Sequence, residues 1–361
     1  MMGGGVMTTS DGPKIAVVIP SYRVRDKILE VLARIGPEVS AIYVVDDGCP
    51  DGSGRWVEEH NCDPRVTVIY NAVNLGVGGA TLAGMRQARE DGCGILVKID
   101  GDGQMDPAMI GTFCAVILSG QADLAKGNRF FEVEGLKSMP RLRLLGNAGL
   151  SLLSKLSTGY WHVFDPTNGF LCMHGVIFDH LPVDKIEKRY FFESDLLFRL
   201  NVLGATVVDI PMHSFYDGEK SEMRPMREVL PFFGRHARNT AKRIFYNYFL
   251  RDFSIGSLEL VLGLAAITFG LIFGLLHWGT TEPATSGTVM VAALPIITGT
   301  QLVIAFLNYD IRMTPHSPLH SRLSSPAFIL RPLRHAGWKT SAIDGSEGDG
   351  ASSAKTRTEE Q

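Results

Sequence analysis

Short apolar runs alternate with amphipathic stretches over residues 14–211, and two long uncharged runs follow. IAVVIP (15–20), AIYVVDD (41–47), VTVIY (66–70) and GILVKID (94–100) are rich in β-branched residues and bounded by turn formers. Each predicts a buried parallel strand. Further strands are expected at 122–130 and 205–211. Helical spacing over 26–35, 53–60 and 79–91 fills the gaps between the first four runs. Such alternation of strand and helix predicts an α/β doubly wound domain.

The last third of the chain is patterned differently. Residues 260–276 hold no charged side chain, and neither do residues 283–308. Each run supplies the ~20 residues needed to cross a hydrocarbon core of ~30 Å. A pair of buried helices in a soluble domain is the competing reading, although two such runs in tandem are rare there. The linker HWGTTEPATSGT carries no Lys or Arg. Upstream lie Arg224, Arg227, Arg235, Arg238, Lys242, Arg243 and Arg251 against the single acid Glu228; downstream lie Arg312, Arg322, Arg331, Arg334 and Lys339. The positive-inside rule then puts both flanks, and so both termini and the α/β domain, on the cytoplasmic side. The segment before the first span mixes these cations with Phe232, Phe233, Phe245, Tyr246 and Phe249. That mixture predicts helices lying in the headgroup zone, apolar side in lipid and cations against phosphates.

The expected organisation is a flexible N-terminus (1–13), a catalytic domain (14–226), interfacial amphipathic helices (227–255), transmembrane helices (256–278 and 286–308) and a cytoplasmic tail (309–361), disordered at its end. The first residues, MMGGGVMTTSDG, lack the basic and apolar regions of a secretory signal. A formal net charge of −3 offers no case for nucleic-acid binding. Five cysteines without a CxxC pair argue against a disulfide framework or zinc cluster.

In doubly wound sheets, ligands bind at the carboxyl ends of the strands. The first strand ends at Pro20-Ser21-Tyr22, the second in Asp46-Asp47-Gly48, the fourth in Asp100-Gly101-Asp102-Gly103-Gln104. Acids grouped at strand ends are costly unless a cation joins them. Asp100 and Asp102 suit a divalent cation whose shell is completed by substrate phosphates; an acidic turn is the alternative. Asp46 and Asp47 suit hydrogen bonds from a base or ribose. In NLGVGGATLAG (74–84), Gly76 and Gly79 either let the loop pass close to a nucleotide or serve close helix–strand packing. The sixth position from Gly76 is Thr81 and the segment follows the third strand, which disfavours a dinucleotide fold; GxxxxGK[ST] is absent, so there is no P-loop. Glu193 and Asp195 in YFFESDLLFRL are candidate general bases, or a helix N-terminal pair with Arg199 four residues beyond Asp195. Asp165 and Asn168 in FDPTNGF are either acceptor-loop residues or turn formers. Trp161 lines an acceptor groove or is packed, and His162, His174 and His180 read as surface or packing residues.

IPSYR, VVDDGCPDGS, NLGVGGA, KIDGDGQMDP, GNRF and DPTNGF occur together in the order and spacing of family-2 glycosyltransferases of the GT-A fold. The chain most resembles the membrane-anchored dolichyl- or polyprenyl-phosphate mannose and glucose synthases, over about residues 14–226. The resemblance implies that Asp46 and Asp47 bind the nucleotide and that Pro20 and Tyr22 line its base pocket. It implies that Asp100 and Asp102 hold magnesium or manganese on the diphosphate, with Gln104 beside the metal. Arg129 matches an arginine that contacts phosphate, and DGEKSEM (217–223) resembles a loop whose lysine, here Lys220, is a mobile phosphate ligand. There are departures: Arg23-Val24 follow Tyr22 where Asn-Glu is common, and His213 and Tyr216 stand where an upstream arginine is frequent. The QxxRW of processive synthases is absent.

The expected function is metal-dependent, inverting transfer of one sugar from GDP-mannose or a UDP-hexose to undecaprenyl or dolichyl phosphate, for cell-envelope glycan synthesis at the cytoplasmic face of a bacterial inner membrane. Arg129 and Lys220 would serve both leaving group and acceptor. Transfer to a hydroxyl of a glycan or lipid-linked sugar is the alternative enzyme, and a degenerate membrane-anchored nucleotide-binding scaffold the non-enzyme one. A homo-oligomer is compatible with the membrane spans.

Overall fold

The computed structural model describes residues 12–131, 141–212, 225–277 and 284–324, with residues 141–148 and 225–230 described as helix only. Lys220 and its loop, the first eleven residues, most of the linker between the spans and the stretch beyond residue 324 lie outside the described residues.

Seven strands form one sheet: β1 (Ile15–Ser21), β2 (Ala41–Asp46), β3 (Val66–Tyr70), β4 (Ile95–Lys98), β5 (Leu124–Asn128), β6 (Leu171–His174) and β7 (Val207–Pro211), in the order β3-β2-β1-β4-β6-β5-β7. β1 is central because both its faces are apolar. Ala16 and Val18 pack with Tyr43, Val45 and Met85 on one side; Val17 and Ile19 pack with Ile28, Ile42 and Val57 on the other. Alternating side chains bury both faces under helices, so the strand reads as a continuous apolar run. The intervening helices are α1 (Arg25–Ala33), α2 (Ser53–His60), α3 (Val77–Glu90) and α4 (Ile110–Leu118). The six expected strands and three expected helices are present, with ends shifted by a few residues.

One strand departs from the expectation of parallel pairing. β6 runs antiparallel to both β4 and β5, so the sheet is mixed. LCMH is short and follows the turn-rich FDPTNGF, and its pairing is set across the fold rather than by its own pattern.

After α5 (Arg141–Thr158), α6 (Gly175–Asp179) and α7 (Phe192–Leu203), the chain leaves the sheet through α8 (Pro225–Phe245) and a π-helical turn over Tyr246–Arg251. α9 (Ile255–Leu276) and α10 (Ser286–Arg312) are long and apolar enough to cross a membrane, with mean hydropathies of 2.2 and 2.0. Only 11% of each apolar window is buried within the protein, so they are not core helices among the described residues. Glycines let the two approach closely: a Cβ at Gly299 would lie 2.6 Å from the Gly263 carbonyl, and one at Gly270 2.6 Å from that of Ala292.

One expectation about this region needs correction. Along α8, His236, Asn239 and Arg243 turn inward and are buried. Arg243 therefore does not face phosphates; it pairs with Asp310 of α10. Phe233, Phe245, Tyr246, Leu250 and Phe253 do remain exposed. Beyond α10 the chain packs back against the sheet domain. Thr314 Oγ donates to the Gly159 carbonyl at 3.2 Å. The backbone N–H groups of Leu319 and His320, the latter opening α11 (His320–Leu323), donate to the buried Asp123 carboxylate at 2.7 and 2.8 Å. The His320 ring also reaches Asp123, at 2.7 Å, and stacks on His174.

Candidate active site

A cavity of about 1000 Å³ opens at the carboxyl ends of β1, β2 and β4. β1 contributes Pro20, Ser21 and, just beyond, Tyr22; β2 contributes Asp47; β4 leads to Asp100, Asp102 and Gln104. Gly76 and Ala80 at the start of α3 form another wall. Arg129, Phe130, Thr167 and Gly169 face them, with Leu150 of α5, Arg189, Tyr190, Glu193 of α7 and Phe232 of α8 completing the enclosure. The strand ends thus converge as their topology demands, because β1 lies between β2 and β4.

The two acids closing β2 separate. Asp46 is absent from the cavity wall. Its carboxylate accepts N–H bonds from Cys49 and Gly54 at 2.7 Å each, folding the turn into α2. Asp47 lines the cavity, and its carboxylate accepts from Asn71 Nδ2 and from the N–H groups of Leu75 and Gly76 at 2.8, 2.9 and 2.7 Å. It shapes the glycine-rich loop against the cavity. Gly76 lines the cavity, has φ +88°, and a Cβ there would lie 2.7 Å from the Lys188 carbonyl. Gly79 is absent from the cavity wall, and its N–H donates to Lys188 O at 3.0 Å.

Asp100 and Asp102 share the cavity with Gln104, whose N–H donates to Asp102 Oδ1 at 3.0 Å. Among the described residues no third His, Cys, Asp or Glu joins them in a metal-sized group. Two hard carboxylates opening on a substrate-sized cavity fit a magnesium-like cation that keeps most of its shell for water and phosphate.

Arg129, also in the cavity wall, is held bidentately. Its Nε and Nη2 donate to Asp165 at 2.7 and 3.0 Å, and Asp165 is fully buried. This corrects the expectation for Asp165 as an acceptor ligand: its carboxylate is spent on aiming the arginine. Asn168 is buried beneath the cavity, its Oδ1 accepting from Phe170 N at 2.9 Å and its carbonyl accepting from Lys126. Within FDPTNGF, Asp165 and Asn168 make turn and positioning bonds, while Thr167 and Gly169 line the cavity.

The candidate bases also divide. Glu193 reaches the cavity; burial pushes its pKa up, opposed by Lys98 and Lys126. Asp195 does not. It is fully buried, paired with Arg199 Nε at 2.9 Å and with Asn239 Nδ2 of α8 at 2.9 Å. Buried away from the cavity wall, it joins α7 to α8 instead. Trp161 is likewise structural, donating to Asp310 at 2.9 Å, and His162 bonds the Val207 carbonyl at 2.7 Å.

Two residues escaped the sequence reading. Lys98 is 1% exposed and lies 2.7 Å from Asp100 and 3.7 Å from Glu193. Burial opposes its charge, yet Asp100 and Glu193 raise its pKa above the ordinary lysine value. Lys126 is equally buried, and burial lowers its pKa to about 8. The available signal was a lysine inside each of two otherwise apolar strands, LVKID and DLAKG.

A mixed sheet of this order, with an acid pair and an arginine lining one cavity at its strand ends, defines an α/β architecture of the GT-A type. The family model for glycosyl transferase family 2 matches residues 16–185. An undecaprenyl-phosphate mannosyltransferase of Micrococcus luteus is 30% identical over 215 residues, covering 58% of this chain and 87% of that protein. A polyprenol monophosphomannose synthase of Mycolicibacterium smegmatis is 31% identical over 202 residues, 54% of this chain and 75% of that protein. A UDP-N-acetylglucosamine–dolichyl-phosphate N-acetylglucosaminyltransferase of Methanococcus voltae is 28% identical over 216 residues, 56% of this chain and 86% of that protein. The chain belongs to glycosyl transferase family 2, and it is an enzyme of that class rather than a scaffold. Among solved structures, glucosyl-3-phosphoglycerate synthase from Mycobacterium tuberculosis is similar at 19% identity, with a TM-score of 0.47 over 64% of this chain and 80% of that one.

Proposed function

We propose that this enzyme transfers one hexose, with inversion, from a nucleotide sugar to a polyprenyl phosphate at the cytoplasmic face of a membrane. One observation carries the reading. Phe232, on the helix that leads into the two apolar spans, lines the same cavity as Asp100, Asp102 and Arg129. A water-soluble donor and a lipid acceptor can meet only where both environments touch one site. The mannosyltransferases of Micrococcus and Mycolicibacterium, named for polyprenyl acceptors, support the same choice.

Tyr22 and Pro20 form the wall for the base, and the loop of Gly76, shaped by Asp47, lies against the nucleotide. Asp100 and Asp102, with Gln104 beside them, would hold magnesium or manganese, which would supply Lewis-acid neutralisation of the diphosphate charge. Arg129, aimed by Asp165, stabilises the same charge or the incoming phosphate. The acceptor oxygen attacks the anomeric carbon, the bond from that carbon to the diphosphate oxygen breaks, and the nucleoside diphosphate leaves with the electron pair. A phosphomonoester has a second pKa of ~6. Its attacking oxygen is therefore already anionic near neutral pH, and no strong base is required. Leu150, Phe130 and Phe232 offer apolar contacts to the first isoprene units.

Incubating the purified protein with a panel of GDP- and UDP-sugars and polyprenyl phosphate, and weighing the lipid product, tests the reading. One sugar–phosphate–prenol product is expected. Products formed only on hydroxyl acceptors would overturn it. Glu193 gives that second reading its specific support, since a cavity carboxylate with a raised pKa suits a general base. Glu193→Gln should leave transfer to lipid phosphate largely intact and abolish transfer to a hydroxyl.

A further inference from the structure

Lys98 ends a strand whose other residues, Ile95, Leu96 and Val97, are fully buried and apolar. A lysine ammonium in such a place is costly unless it is paired. Here it is paired on purpose-built ground: Asp100 Oδ1 lies at 2.7 Å and Glu193 Oε1 at 3.7 Å. Gly169 keeps the space open. A Cβ at that position would strike the Lys98 ammonium and lie 2.6 Å from Asp100 Oδ2. Strand β4 and the turn before β6 are therefore both shaped around the Lys98–Asp100 pair.

The pair has a consequence for any cation at Asp100 and Asp102. An ammonium in contact with Asp100 cancels one of the two negative charges the acids offer, and it repels a divalent ion beside them. Repulsion between like charges this close is strong where water is partly excluded. No third metal-binding side chain is grouped with the acids among the described residues to make up the loss. A cation already bound to a diphosphate behaves differently, because the ligand's negative charge is attracted to Lys98 while the cation is repelled.

We propose that Lys98 prevents the acid pair from holding a divalent cation on its own, so that the cation enters with the nucleotide diphosphate and leaves with it. The inference rests on the role proposed above for Asp100 and Asp102. Lys98 acts through Asp100 and is a positioning residue. The device removes a trap: a cation retained by the acids after transfer would also retain the nucleoside diphosphate and slow turnover.

Manganese binding to the full-length protein in detergent, followed by electron paramagnetic resonance, tests this with and without GDP or UDP. Without nucleotide, Lys98→Met should bind Mn²⁺ at least tenfold more tightly than the wild type, and Lys98→Arg should resemble the wild type. Lys98→Gln, which keeps a hydrogen bond to Asp100 without the charge, should behave as Lys98→Met and guards against a variant that fails to fold. With nucleotide present the difference should shrink to less than threefold. Equal or weaker nucleotide-free binding in both neutral variants, with nucleotide-dependent binding intact in the wild type, overturns the role of Lys98 alone. Absence of Mn²⁺ binding to the wild type with either nucleotide, unchanged by Asp100→Asn, overturns the cation reading of the site as well.

Discussion

The guanidinium of Arg243 meets the carboxylate of Asp310 through two hydrogen bonds, at 2.6 and 2.9 Å, with both side chains nearly fully buried. Tyr248 Oη and Trp161 Nε1 donate to the same carboxylate at 2.6 and 2.9 Å, and Arg243 also donates to the Leu156 carbonyl. One acid near the end of the second apolar span thus joins α8, the π-helical turn, the end of α5 and the loop before FDPTNGF. It fixes how the catalytic domain sits on its two apolar helices. Breaking a buried ion pair from one side leaves an uncompensated charge and costs about 3–5 kcal/mol. Asp310→Ala should therefore lower the thermal midpoint in detergent markedly. Asp310→Leu combined with Arg243→Met should recover much of the loss; a double variant as unstable as the single one would refute a pairing role.

Arg129 and Asp165 make the second prediction. Asp165 aims Arg129 without touching the cavity, so Asp165→Ala should leave nucleotide affinity nearly unchanged. It should lower kcat by about 10²-fold, the usual scale for a misplaced catalytic group. Steady-state kinetics with separately measured nucleotide binding decides between this and a general loss of fold.

Chelation provides the third. Treatment with EDTA should abolish transfer, and added Mg²⁺ or Mn²⁺ should restore it. Asp102→Ala should lose on the order of 10²–10³-fold in kcat, by analogy with other lost electrostatic stabilisers. Full activity in both Asp100→Ala and Asp102→Ala would exclude a metal role for the pair.

His236 makes the fourth. It is 1% exposed, bonded through Nδ1 to Ser157 Oγ at 2.7 Å, and packed on Phe191. Its Nε2 has no partner among the described residues. Burial lowers its pKa from 6.5 to about 4. The unfolded chain takes up this proton first as the pH falls. The stabilisation is complete above pH 6.5 and lost progressively as the pH drops toward 4. A pKa gap of that size corresponds to on the order of 3 kcal/mol. The thermal midpoint should fall over that window, and His236→Phe should flatten the slope. His174, lowered to about 4 by burial and the neighbouring His320, adds to the same trend.

Six of the seven strands, the two apolar helices and the strand ends that carry acids were legible in the sequence; β6 was not. Those features are local: β-branched runs, long uncharged stretches and turn-bounded Asp pairs declare themselves within a few residues. Tertiary structure decided what each side chain does. Asp46 and Asp195 look as available as Asp47 and Glu193 on paper, but only the latter two line the cavity. β6 owes its direction to partners in β4 and β5, far away along the chain. Asp123 finds its bonds in residues 319–320, and Lys98 finds Glu193 only because β4 and α7 border one cavity. Contacts between positions so widely separated in the chain leave no periodic trace, because burial and charge pairing are properties of the packed neighbourhood and not of the segment that enters it.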